Sequence, residues 1–255
     1  VAAPFVVRDV SVDLEGTRVL EGIDLTIETG EYVVLLGENG SGKTTLLRAL
    51  LGLVPLSHGS IRVHGQASTR FDQWQRLAYV PQRLLAASTV PVSVIEAVMA
   101  ARIRPSTRVR PRRAQTRAAA LQALESMGLA HRASDRFDAL SGGQQRRVMV
   151  ARALAAGADT LLLDEPTAGV DADSELKLAD ALSDLHAQGR TIVLVTHDLG
   201  EISEPADHVV VLGGRGPRAI RYDGPPPPPR SMTEHVWHHD SDDEDASTPG
   251  LMSQP

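Results

Sequence analysis

Cysteine is absent from all 255 residues, which excludes disulfide frameworks, thiolate metal sites, iron–sulfur clusters and cysteine nucleophiles together. Long apolar runs are missing too, since no stretch approaches the roughly 18–20 residues that cross a bilayer as a helix. The opening Val1-Ala2-Ala3-Pro4-Phe5 lacks the charged-then-apolar build of a secretory signal. The sequence therefore predicts a soluble chain that stays where it is made and reaches any membrane through a partner. Lysine is scarce, with Lys43 and Lys177 the only two among 26 basic residues. A basic excess is also lacking. Residues 231–255 hold six acids (Glu234, Asp240, Asp242, Asp243, Glu244 and Asp245) and no Lys or Arg, so the net charge of −6 leaves residues 1–230 neutral. A neutral body lacks the electrostatic footprint of a non-specific nucleic-acid binder, and no nucleic-acid partner is expected.

What is present is a composition of 42% hydrophobic and 23% charged residues, enough to bury a core. The length fits one domain with a subdomain, or two small domains. Residues 6–13 and 20–28 alternate as half-buried strands, and Tyr32-Val33-Val34-Leu35-Leu36 is the short continuous run of a fully buried one. A helix is expected over 43–53, with further strands at 60–63 and 77–80. Residues 92–102, 112–127 and 144–156 read as helices without an intervening strand, a helical insert in a mixed fold. Strand and helix then alternate, at 160–163, 173–188, 191–195, 199–204 and 207–212, the pattern of parallel βαβ units. Pro225 to Pro229 form a stiff spacer after Gly224. Residues 231–255 read as a disordered acidic tail.

Gly37-Glu38-Asn39-Gly40-Ser41-Gly42-Lys43-Thr44 fits the pattern G-x-x-x-x-G-K-S/T in full, after a buried strand and opening a helix. Glycines let successive N–H groups converge on phosphate oxygens, where the helix N-terminus adds its positive end. Lys43 supplies a point charge to the β- and γ-phosphates, and the Thr44 hydroxyl is a ligand for Mg²⁺. Leu161-Leu162-Leu163-Asp164-Glu165 supplies the acidic half. Asp164 ends a buried strand facing the metal, and Glu165 is placed to polarise an attacking water. Alone, such a strand end could be a solvated one. Leu140-Ser141-Gly142-Gly143-Gln144 opens a helix with a hydroxyl and two glycines, a second anion cradle. A head-to-tail dimer gives that cradle a use, each chain offering it to the other's γ-phosphate. Ser141 is at the same time an ordinary helix cap.

With these motifs the chain resembles the ATP-binding subunits of ABC transporters over about residues 5–222. The family's order is followed by Gln82 in Tyr79-Val80-Pro81-Gln82, by Ala168-Gly169-Val170-Asp171, and by His197 in Val195-Thr196-His197-Asp198. The resemblance implies an α/β fold, a RecA-like P-loop NTPase core (1–82 and 151–222) with an antiparallel β edge and an α-helical subdomain inserted at about 83–150. A Pro-rich linker (223–230) and the tail (231–255) follow. It further implies ATP and Mg²⁺ as cofactors, held by the loop through Thr45, with Gln82 sensing Mg²⁺ and the γ-phosphate. His197 would contact the γ-phosphate, and Asp171 would lie at the seam of the dimer. Leu14 stands where the family usually stacks an aromatic residue on adenine, giving apolar contact without ring stacking, and Val19 would supply part of that contact.

The partners implied are a second ATPase copy, an integral membrane permease and, indirectly, an extracytoplasmic substrate-binding protein. The location implied is the inner face of the cell membrane. Residues 79–83, 89–94 and 165–171 are similar to the zinc and manganese importer branch; a siderophore, an amino acid or another solute is the alternative cargo. A non-transport ABC ATPase is the remoter alternative. Such proteins usually carry two cassettes or a long coiled-coil insertion. In the tail, His235, His238 and His239 beside Glu234 and Asp240 make a loose Zn²⁺ site, or a solvated acidic tail with incidental histidines.

Overall fold

The computed structural model describes residues 2–82, 92–102, 113–213 and 220–226. Its first half holds β1 (Phe5–Leu14), β2 (Thr17–Ile27), β3 (Tyr32–Leu36), α1 (Lys43–Leu50), β4 (His58–Val63), β5 (Gln66–Ala67) and β6 (Leu77–Val80). Then come α2 (Val94–Met99), α3 (Arg113–Ser126), α4 (Gly142–Ala156), β7 (Thr160–Asp164), α5 (Ala172–Ala187), β8 (Thr191–Thr196), β9 (His208–Leu212) and β10 (Ile220–Gly224). One sheet is antiparallel, ordered β2-β1-β4-β5. The other is ordered β10-β9-β3-β8-β7-β6 and is parallel except for β10 at its edge.

The continuous apolar runs become the middle of the parallel sheet. Every residue of β3, β7 and β8 is buried, as strands covered on both faces require. Side chains leave a strand on alternate faces, so each run feeds two cores. Tyr32, Val34 and Leu36 join a cluster with α2, α3, α4 and α5, whereas Val33 and Leu35 join one with α1 and the antiparallel sheet. β8 divides likewise, Ile192 and Leu194 from Val193 and Val195. The helical insert thus shares its core with the sheet, and α4 runs unbroken through residue 150.

Departures from the sequence reading have local causes. α1 stops at Leu50, and the residues that follow turn. β5 is two residues long, beyond a tight turn with positive φ at His64 and Gly65, too short to show a period. β10 is an edge strand that carries the sheet to Gly224, beyond the expected end at 222. The helix expected over 199–204 is a 3₁₀ turn, Glu201–Ser203.

Parallel pairing brings the strand ends that matter to one edge. Leu36 pairs with Thr196, Val195 with Asp164, and Leu163 with Val80. The segments that follow β3, β8, β7 and β6 carry the phosphate-loop pattern, His197, Glu165 and Gln82. Open α/β sheets bind ligands at this carboxyl edge.

Candidate active site

The loop after β3 is shaped by close packing. A Cβ on Gly37 would lie 2.5 Å from the Leu212 carbonyl oxygen and 2.6 Å from Ser41 Oγ. Lys43, at 5% exposure, donates to the carbonyls of Gly37 at 2.6 Å and Glu38 at 2.9 Å. Burial pulls its ammonium below the ordinary lysine value, while Glu165, Asp164 and Glu38 oppose the shift. The Ser41 hydroxyl is buried and has no hydrogen-bond partner among the described residues. Gly40 and Asn39 are exposed beside it, and Thr45 is buried in the first turn of α1.

α1 also begins differently from other helices. α2, α4 and α5 are capped by the side chains of Ser93, Ser141 and Asp171. α1 has Gly42 at that place, no side-chain cap and no acid in its first turn. Its leading N–H groups therefore lack a side-chain acceptor, the state in which a helix start binds an anion. With the unpartnered Ser41 hydroxyl and Lys43, the cradle fits a polyphosphate.

Asp164 is 3% exposed and accepts two hydroxyl hydrogen bonds, from Thr44 to Oδ1 at 3.0 Å and from Tyr79 to Oδ2 at 3.1 Å. The first joins the phosphate-loop helix to the acidic strand. A carboxylate and a hydroxyl are hard oxygen donors, a set that fits Mg²⁺. Glu165 follows with φ of 44°, and its amide donates to the Val195 carbonyl at 2.9 Å. Its Oε2 accepts from Gln82 Nε2 at 2.5 Å, and its Oε1 lies 3.9 Å from His197 Nδ1. The latter is ion-pair range, beyond a hydrogen bond. Glu165 is largely covered and His197 open, at 14% and 58% side-chain exposure.

The structure therefore gathers Lys43, Thr44, Asp164, Glu165, Gln82 and His197. Ser141 to Gln144 form no hydrogen bond to them among the described residues. Ser141 Oγ accepts from the Gln144 amide at 3.3 Å, and Gln144 Oε1 accepts from the Ser141 amide at 3.0 Å, a reciprocal cap. The paired glycines have separate explanations. A Cβ on Gly143 would come within 2.6 Å of Ser174 Cβ and 2.9 Å of Val170 Cγ1, whereas one on Gly142 would meet nothing within 4 Å. Packing against α5 thus accounts for Gly143, which the sequence reading had left to the anion cradle. Asp171 accepts from the Ser174 amide at 3.0 Å, and the Ser174 hydroxyl and amide together hold its carboxyl below the usual range. Leu14 and Val19 are half-buried on the β1–β2 hairpin, and Val19's carbonyl oxygen would be 3.2 Å from a Cβ on Gly42. Val19 thus borders the loop.

Two residues escaped the sequence reading as site residues. Tyr79 had been noted only as part of a motif, and its hydroxyl proves to be a partner of Asp164. Arg146, buried at 8% exposure, donates from α4 to the Gln82 carbonyl at 3.1 Å. Only the register of β6 on β7 could have found the first. The tail histidines and, of the metal-branch stretches, residues 83 and 89–91 lie outside the described residues. No group of three or more metal-binding side chains occurs among those that are described, and no described helix is long and apolar enough to cross a membrane.

The family model described as ABC transporter matches residues 20–168. The manganese transport system ATP-binding protein MntA of Synechocystis is 37% identical over 207 residues, 81% of this chain and 80% of that protein. The zinc transport system ATP-binding protein TroB of Treponema pallidum is 36% identical over 216 residues, 82% and 78% of the two chains. The phosphonates import ATP-binding protein PhnC of Trichormus variabilis is 41% identical over 201 residues, 76% and 82%. Among solved structures, the dimeric post-hydrolysis state of the ATP-binding cassette MJ0796, bound to ADP and Pi, superposes with a TM-score of 0.72. It is 25% identical and covers 87% of this chain and 98% of that one.

Proposed function

The chain belongs to the ABC transporter family and is an ATP-hydrolysing subunit of an importer; from that premise we propose how its residues work and what it moves. The observation that carries the mechanism is the bond from Thr44 to Asp164, which sets phosphate loop and acidic strand on one site. Lys43 and the first amides of α1 hold the β- and γ-phosphates of ATP. Thr44 and Asp164 hold Mg²⁺, which when bound neutralises charge on the phosphate oxygens. Glu165 accepts a proton from the attacking water, and His197 and Gln82 orient that water and the γ-phosphate. Val19 and Leu14 contact the adenine. Ser141, Gly142, Gly143 and Gln144 serve the γ-phosphate of a second copy in a head-to-tail dimer, with Asp171 at the seam.

The two copies sit on the cytoplasmic side of a membrane permease fed by an extracytoplasmic substrate-binding protein, and closure on MgATP alternates its access. The cargo is a divalent metal, manganese or zinc, supported by the likeness to MntA and TroB. The likeness to PhnC favours a second reading, phosphonate import. The tail histidines His235, His238 and His239 would then be incidental.

Replacing Glu165 by Gln lowers ATP turnover by on the order of a hundredfold or more while ATP still binds. Unchanged turnover removes Glu165 from the role. Elemental analysis of metal-limited cells carrying that variant shows a selective fall in manganese or zinc. No change in either metal, with turnover lost, points to another cargo.

A further inference from the structure

We propose that Tyr79 is a positioning residue for the metal site, its hydroxyl fixing the Asp164 carboxylate so that Thr44 keeps its lone pairs turned to Mg²⁺. The inference rests on the reading of Thr44 and Asp164 as the Mg²⁺ partners. β6 lies beside β7 in parallel register, Tyr79 opposite Leu162 and Val80 opposite Leu163. Residues paired across a sheet share a face, and residues two apart along a strand do as well. Leu162, Asp164 and Tyr79 therefore share one face. Leu162 and Tyr79 both belong to the core beside α1, so that face is the one beneath the phosphate-loop helix. The register thus leads the half-buried Tyr79 to the end of the acidic strand.

The hydrogen bonds divide the carboxylate between two fixed donors. Oδ1 takes the Thr44 proton and Oδ2 the Tyr79 proton. Turning the carboxyl group about its Cβ–Cγ bond breaks both. As long as Oδ1 takes its proton, the Thr44 oxygen presents only lone pairs to a cation. Tyr79 also stands just ahead of Gln82, which holds Glu165. One strand and its following residues thereby grip both acids.

The test is equilibrium binding of trinitrophenyl-ATP by the full chain, titrated with MgCl₂ and repeated in EDTA, for the native protein, Tyr79→Phe and Asp164→Asn. Phenylalanine keeps the ring and removes the donor. The Mg²⁺ concentration at half-effect rises roughly tenfold in Tyr79→Phe, the scale of one hydrogen bond to a charged group. Its affinity in EDTA stays at the native value. An unshifted half-effect in Tyr79→Phe, with a shift in Asp164→Asn, overturns the proposal. Equal weakening with and without Mg²⁺ also overturns it, because the ring then acts through packing. If neither variant shifts, the acidic strand itself is not the Mg²⁺ partner and the underlying reading fails.

Discussion

Gly142 and Gly143 stand side by side at the start of α4 for different reasons, and the difference can be measured. Gly143 is buried where Ser174 and Val170 leave no room for a Cβ, whereas Gly142 faces open space. Gly143→Ala loses about 1–3 kcal/mol of stability through overpacking, read in a denaturant titration. Gly142→Ala keeps native stability or gains up to about 1 kcal/mol as a better helix residue. Its ATPase activity nonetheless falls, because the added methyl intrudes where the partner's γ-phosphate is proposed to rest. Equal destabilisation by the two changes, or full activity in Gly142→Ala, contradicts this division. Arg146 carries a similar double duty. It is buried on α4, and it donates to the Gln82 backbone, so a change near the acids has a polar route into α4.

Among the elements, what the sequence reveals depends on how far burial governs the residues. β3 and β8 are apolar on both faces and legible as continuous runs. α4 announces itself by Ser141 at its cap, whereas the cap of α5 by Asp171 emerges only in the structure. β5 and β10 are short pieces at the edges of their sheets, so their residues carry little pattern. The loop motif and the acidic strand were legible because their chemistry restricts residue type. Tyr79 was hidden because its role comes from the neighbouring strand's register. The β4–β5 turn carries a pH response for the same kind of reason, one set by packing. The His64 side chain is buried, 6% exposed, and stacks on Phe71 with ring centroids 5.8 Å apart. Burial chiefly, and Arg76 next, lower its imidazole from the ordinary value despite Asp159. Below about pH 6.5 the unfolded chain takes up a proton that the folded site accepts only at lower pH. Stability is therefore present above that value and is lost as pH falls through it. Melting curves from pH 7.5 to 5.5 decline more steeply for the native protein than for His64→Asn, which removes the titrating group and tolerates positive φ. Parallel curves dismiss the effect.

At the scale of the whole molecule, the sheet is a partition with a core on each side and the reactive loops along one rim. Strand register sets those loops to within a residue of one another, so the cluster is built before any ligand arrives. The exposed Ser141 belongs to the α4 side and caps its own helix without touching that rim. The proposed head-to-tail dimer would use both surfaces. Light scattering of Glu165→Gln with MgATP gives about twice the mass of one chain, and adding Ser141→Arg returns it to one. A single-chain mass in both variants argues against the head-to-tail dimer.

Glu165 adopts a backbone conformation that side chains with a Cβ disfavour by about 1–2 kcal/mol, with its amide held by the Val195 carbonyl. The backbone is thus strained at the residue proposed to handle the water, as it is at Asp9, Glu15 and His64. Selection for robustness alone would favour glycine there, so the carboxylate and the easiest backbone for that corner compete for one position. The margin of stability at the end of β7 is set by chemistry, and the two buried cores are what allow the molecule to tolerate it.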